Sequence, residues 1–137
     1  MKKLSVLVLS FLILFPVIAG AQAITWYNET TKTMAWDPVA KVATSDDANR
    51  YQVMWRTDLV STGSTVGNPI TATQLALTIP PDVKYYFGVK ALRYVGGNRV
   101  SESATAWSSD PAATANSPFG FDTIRSPLSP SAIRLLP

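Results

Sequence analysis

The sequence contains no cysteine and no histidine among its 137 residues. Without cysteine there is no thiolate nucleophile, no thiolate metal site and no disulfide framework. Without histidine there is no Ser-His-Asp triad and no imidazole ligand for a metal. Charge is also sparse, with Asp, Glu, Lys and Arg making up 15% of the chain. The nine acids are Glu29, Asp37, Asp46, Asp47, Asp58, Asp82, Glu102, Asp110 and Asp122. Most sit beside Pro, Asn, Ser or Thr, as turn acids do, and none forms the spaced pair that a carboxylate hydrolase needs. Asp46-Asp47 is the one adjacent pair. Calcium takes about 6–8 oxygens from a shaped loop, and the D-x-D-x-D-G spacing of such a loop is absent, so an ordinary polar loop is expected there. The expectation is a protein with no enzymatic activity, no cofactor and no metal, whose stability comes from packing alone.

Long apolar runs are lacking but for one. After Met1-Lys2-Lys3, the stretch from Leu4 to Ile18 is apolar except for Ser5 and Ser10, and Gly20 and Ala21-Gln22-Ala23 follow. A basic start, an apolar core and a small-x-small site make a secretory signal peptide. The run is short of the roughly 20 residues of a bilayer span, and Pro16 disfavours an unbroken helix. No cysteine follows, so a lipid-modified lipoprotein is not expected. Cleavage is expected after Ala23, with Ile24 as the new N-terminus, and the membrane is contacted only through the signal before cleavage. The product is expected outside the cytoplasm, secreted or periplasmic, and the Lys-Lys start with Ala-Gln-Ala looks bacterial. Asn28-Glu29-Thr30 fits an N-glycosylation acceptor and matters only in a eukaryotic secretory route.

Removing residues 1–23 also changes the charge. The whole chain carries +3. Lys2 and Lys3 leave with the signal, so 10 of the 12 basic residues remain against 9 acids, a net +1. The basic side chains are scattered among the acids, which reads as a solvated surface. No basic patch remains to argue for nucleic acid.

What is present is a series of short strands. Ile24 to Tyr27 can pair as the first. Thr31 to Trp36 (TKTMAW) places Met34 and Trp36 on one face at period 2, and Asp37-Pro38 ends it. Ser45 to Asn49 is a polar loop. Tyr51, Val53 and Trp55 alternate with Gln52, Met54 and Arg56. Ser61 to Asn68 is Gly/Ser-rich and reads as a loop or weak edge strand. Gln74 to Ile79 groups Leu75, Leu77 and Ile79, and Pro80-Pro81-Asp82 stops it. Tyr85, Phe87, Val89 and Ala91 form the clearest apolar face. Gly96-Gly97-Asn98 is a hairpin turn, after which Arg99 to Trp107 returns as the last strand. Short strands between turn signals predict an all-β, antiparallel β-sandwich over 24–109. Its core is expected to comprise Trp36, Tyr51, Val53, Trp55, Leu77, Tyr85, Phe87 and Val89. Residues 110–137 turn rich in Pro, Ser and Ala and are expected to form an extended or disordered C-terminal tail. That tail nevertheless carries Phe119, Phe121, Ile124, Leu128, Ile133, Leu135 and Leu136.

The segment Ile79-Pro80-Pro81-Asp82-Val83-Lys84-Tyr85-Tyr86-Phe87-Gly88-Val89-Lys90-Ala91 resembles the E–F corner and F strand of fibronectin type III domains, whose pattern there is L-x-P-x-T-x-Y-x-F-x-V-x-A. Ile79 stands for the Leu, Pro81 for the Pro and Tyr85 for the corner Tyr; Phe87, Val89 and Ala91 match, and Val83 replaces the Thr. Met34-Ala35-Trp36-Asp37-Pro38 resembles the family's B strand with its core Trp. Tyr51-Gln52-Val53-Met54-Trp55 resembles its C strand, and Gly97-Asn98 with Ser101-Glu102-Ser103 resembles the F–G turn and strand G. The resemblance covers roughly Ile24 to Trp107. It implies a seven-stranded antiparallel immunoglobulin-like β-sandwich, with the Tyr85 hydroxyl bonded to backbone upstream and locking the crossover.

Sandwiches bind through end loops or exposed faces. The candidate binding loop is therefore Arg93, Tyr94, Gly96, Gly97, Asn98 and Arg99, where an Arg beside a Tyr suits a contact hot spot. Trp26, Tyr27 and Trp107 are candidates for an aromatic platform that stacks carbohydrate. Arg56-Thr57-Asp58 is a superficial echo of the family's integrin-binding Arg-Gly-Asp, which is absent. The expected function is an exported binding or adhesion module for a protein or glycan. The alternative is a structural subunit or spacer of a surface assembly, a possible homo-oligomer through its apolar tail.

Overall fold

A computed structural model describes residues 22–124. The expected signal segment up to Ala21, and the sequence from Arg125 onward, lie outside the described residues. The described residues form nine strands: β1 (Thr25–Tyr27), β2 (Thr31–Ala35), β3 (Arg50–Arg56), β4 (Ser64–Ile70), β5 (Gln74–Thr78), β6 (Lys84–Val95), β7 (Asn98–Glu102), β8 (Ala106–Trp107) and β9 (Phe119–Asp122). They form an all-β, sandwich-like fold. Among the described residues no helix is long and apolar enough to cross a membrane.

The large sheet runs β1-β9-β6-β3-β4, with β7 and β8 also on β6, and the small sheet is β2-β5. Strand β6 is the spine. Its 12 residues pair with β3 from Arg56↔Tyr86 to Arg50↔Leu92 on one side. On the other side β9 takes Lys84 and Tyr85, β8 takes Gly88 and Val89, and β7 takes Leu92 to Val95. The last three strands are thus successive pieces of one interrupted partner for β6.

Period-2 alternation places the core. Tyr85 and Phe87 on β6, Val53 on β3, Leu77 and Ile79 at β5, and Phe121 on β9 form one buried cluster between the sheets. Aromatic rings fill much of it: Trp55 stacks on Tyr85 at 4.5 Å between centroids, and Phe87 meets Phe121 edge-on at 5.5 Å. Such geometries are favoured by the ring quadrupole. Of the expected core residues, Tyr51 is buried as well, whereas Trp36, Trp55 and Val89 are half-buried and pack against the cluster from its margin. The reason is the width of the small sheet, which has two strands and does not cover the whole inner face of the large one.

Three features depart from the sequence expectation. Nine strands form where seven antiparallel ones were expected, and β1 pairs with β9 in parallel, Thr25 opposite Phe119 through Tyr27 opposite Phe121. The packed body also extends past 109. The chain leaves the sheet at Ser108, makes a turn-rich excursion and re-enters at Phe119, whose N–H donates to the Ser108 carbonyl at 2.8 Å. Phe121 is then 1% exposed, because burying Phe121 and packing the half-buried Phe119 against the core offset the cost of ordering the excursion. Third, no hydrogen bond from the Tyr85 hydroxyl is found among the described residues. The tyrosine that ties down upstream backbone is Tyr51, whose hydroxyl accepts the Val39 N–H at 2.9 Å.

The edge strand β4 carries an irregularity. Tyr51 faces Ile70 but Val53 faces Val66, so the β4 backbone at Gly67 to Pro69 bulges out. Gln52 fills the broken ladder, its amide donating to the carbonyls of Val66 (3.3 Å) and Gly67 (3.1 Å). A buried amide is tolerated when its donors are satisfied in this way.

Candidate functional site

One end of the sandwich gathers three connections. Strand β3 begins at Arg50 opposite Leu92, and Tyr51 faces Ala91 on β6 and Ile70 on β4. The β2–β3 loop, the β4–β5 turn and the β6–β7 hairpin therefore project together. The hairpin turns on Gly96 (φ 56°) and Gly97 (φ 80°), the positive dihedrals that a two-residue turn matching the strand twist requires. A Cβ at either glycine would meet nothing within 4 Å, so backbone conformation and not space selects glycine here.

The candidate residues divide into those already engaged and those presented. The Arg93 guanidinium grips Asp46 with both ends, Nε to Oδ2 and Nη2 to Oδ1, each at 2.9 Å. The Asp46 side chain is 1% exposed, and its Oδ2 also accepts the Ala43 N–H at 3.0 Å. The Arg93 hydrogen bond, with that backbone donor, holds the Asp46 carboxyl below the usual carboxylate range, and the same pairing raises Arg93. Arg50 lies over the Tyr94 ring at 4.2 Å. Asp47 completes the fastening: its N–H donates to the Tyr94 carbonyl at 3.0 Å, and its Oδ2 accepts the Gly97 N–H at 2.7 Å. Bidentate, charge-assisted pairs of this kind are geometrically specific.

Arg93, Tyr94 and Gly97 thus hold the hairpin on the β2–β3 loop. Gly96, Asn98 and Arg99 are exposed beside Val95 and Val100, while Val39 and Val42 are exposed on the loop the hairpin is tied to. Arg99 makes a 3.4 Å pair with Glu102, with both side chains in solvent. The adjacent acids Asp46 and Asp47 are spent on Arg93 and Gly97, and among the described residues no group of three metal-ligating side chains occurs. Sequence reasoning located the hairpin but missed the loop residues that fix it.

The three aromatic candidates each carry a cation of the chain itself. Lys84 sits 4.6 Å from the Trp26 ring, Lys32 is 5.1 Å from Tyr27, and Arg56 is 4.1 Å from Trp107. Trp107 lies over Gly88, where a Cβ would come within 2.7 Å of its ring, and over Gly63. Trp26 covers Gly120 in the same manner. A stacking sugar would have to displace these cations. No model of a known protein family matches the chain, and a search of the curated proteins finds no match either.

Proposed function

We propose that this chain is an exported, non-enzymatic binding module with a fibronectin type III-like fold, recognising a protein surface through the end formed by the β2–β3 loop and the β6–β7 hairpin. The observation that carries the reading is the double fastening of the two loops, Asp46 to Arg93 and Asp47 to Gly97. Loops fixed before contact lose little freedom on binding, which favours affinity. The surface they present mixes exposed valines with Asn98 and Arg99, the apolar-plus-arginine character of protein interfaces. Protein is favoured over glycan because the chain's own cations cap Trp26, Tyr27 and Trp107. The fold assignment is supported by the inward Tyr85, Phe87 and Val89 on β6 and by the B-, C- and F-like strand segments. Export is supported by the pattern of residues 1–23, and a non-catalytic role by the lack of histidine and cysteine.

The test compares wild type with Asn98→Ala/Arg99→Ala on immobilised envelope and extracellular proteins and on a glycan array. Both substitutions lie on exposed side chains, and the Arg99–Glu102 pair contributes little to stability because both partners are solvated. The expected result is wild-type binding to a protein, weakened at least tenfold in the variant at an unchanged melting temperature. Equal binding by the two proteins would remove the hairpin from the reading, and binding to glycans alone would overturn the choice of partner.

A further inference from the structure

Strands β4 and β5 end their sheets on the same side of the sandwich, and the gap between them is open. A cleft of about 570 Å³ lies there, walled by Trp55, Val66, Leu75, Leu77 and Phe87. The backbone of β5 is half unpaired along this opening. Ile79 N–H donates to the Thr30 carbonyl and Trp36 N–H to the Thr73 carbonyl, which sets the phase of the β2–β5 ladder. Bonded positions alternate in an antiparallel pair, so Leu75 and Leu77 turn their N–H and C=O groups to β2, and Gln74, Ala76 and Thr78 turn theirs the other way. Among the described residues no strand pairs with that side. Free backbone donors and acceptors beside an apolar cleft are a template for one more strand.

The other described edges carry devices that deter pairing with a further strand: short length, charge, proline or a bulge. β1 has 3 residues and β8 has 2. β4 is broken by the register shift beside Tyr51 and contains Pro69, which has no N–H to give a ladder. β2 carries Lys32, and β7 carries Arg99 and Glu102. β5 differs from all of them. Gln74-Leu75-Ala76-Leu77-Thr78 holds no charge and no proline, and its register with β2 runs without a shift.

This edge is complementary to itself. A two-fold axis at Ala76 sets Ala76 opposite the partner's Ala76 and Gln74 opposite the partner's Thr78. Each is a hydrogen-bonded pair that exchanges both N–H···O bonds, so one register satisfies the free groups of both strands, as an isologous interface requires. The side chains of Gln74, Ala76 and Thr78 are exposed on the outer face and neutral, so no like charges meet across the axis. On the inner face Leu75 comes beside the partner's Leu77, which extends the apolar wall of the cleft and takes it out of water. We infer that this chain forms a two-fold dimer by antiparallel pairing of β5 with β5 of a second copy, joining the two small sheets into one and the two clefts into one apolar chamber.

Sedimentation of the full chain from micromolar to millimolar concentration tests this, alongside Ala76→Lys, Ala76→Glu and their equimolar mixture. The Ala76 side chain is exposed, so both variants are expected to keep the wild-type melting temperature. Each sets like charges across the axis and is expected to weaken the dimer at least tenfold, whereas the mixture sets opposite charges there and is expected to recover it. Amide hydrogen exchange at Gln74, Ala76 and Thr78 is expected to slow at least tenfold as the wild type dimerises. A wild-type chain that stays monomeric at millimolar concentration overturns the proposal. So does a dimer that neither variant weakens, or exchange at these three amides that is the same in monomer and dimer.

Discussion

Tyr51 and Tyr85 divide between them two roles that one tyrosine was expected to fill. Tyr85 is buried and stacked on Trp55, and burial raises its hydroxyl pKa. Tyr51 packs its ring against Trp36 at 5.7 Å and accepts the Val39 N–H. Removing a hydroxyl that satisfies a part-buried N–H costs about 1 kcal/mol, the usual net value of such a bond. Tyr51→Phe is therefore expected to lose about that much in urea unfolding, and Tyr85→Phe to stay within about 0.5 kcal/mol of wild type. The opposite ranking would restore the corner role to Tyr85. Asp46 sets a second expectation at this scale. Its folded pKa is depressed below the ordinary value of 3.8, so its contribution to stability is present above that value and is lost as pH falls through the folded one. Urea midpoints between pH 6 and pH 2 should fall less steeply for Asp46→Asn than for wild type below about pH 4, from a lower starting level. Parallel curves would show that the Arg93 pairing does not shift the carboxyl.

Among the strands, legibility follows how much of the signal is local. β3, β5 and β6 announce themselves by alternation, as in Tyr51-Val53-Trp55 and Tyr85-Phe87-Val89, because the face that carries these residues packs into the core, although Gln52, Met54 and Tyr86 on the opposite face of β3 and β6 are buried as well. The β6–β7 turn is legible because Gly96-Gly97 supplies two consecutive positive φ values. β4 is faint because Gly67 and Pro69 interrupt it, and the feature that repairs the ladder, Gln52, lies on another strand. β9 reads as part of a tail in the sequence because Phe-Gly-Phe-Asp is short and follows a stretch rich in proline and serine. Its identity as a strand depends on what it meets: Tyr85 on β6, Thr25 to Tyr27 on β1, and the Trp26 ring, which Gly120 admits by having no Cβ. The candidate site was half legible for the same reason. The hairpin is a local signal, whereas the Asp46–Arg93 grip joins residues 47 apart, and nothing near Asp46 in the sequence marks its partner.

For the molecule as a whole, the consequence is that the fold closes with its last described strand. Parallel pairing of β1 with β9 joins Thr25 to Phe119, so the first strand has no sheet partner until the excursion after Ser108 has returned. Lys84–Asp122, at 3.1 Å, fastens the same junction. A chain stopped after Ser109 would lack Phe121 from the core cluster and Phe119 from its margin, and β1 would lose its pairing. Deleting one buried phenylalanine side chain costs about 3–5 kcal/mol, against a typical net stability of about 5–15 kcal/mol for a domain. The chain has no disulfide to offset such a loss. The expected outcome is that the chain stopped after Ser109 shows no cooperative thermal or urea transition, whereas one stopped after Ser126 unfolds cooperatively. A cooperative transition in the shorter chain would mean that β1 finds another partner, the free edge of β2 being the nearest in sequence, and that β9 is an addition to a sandwich already complete without it.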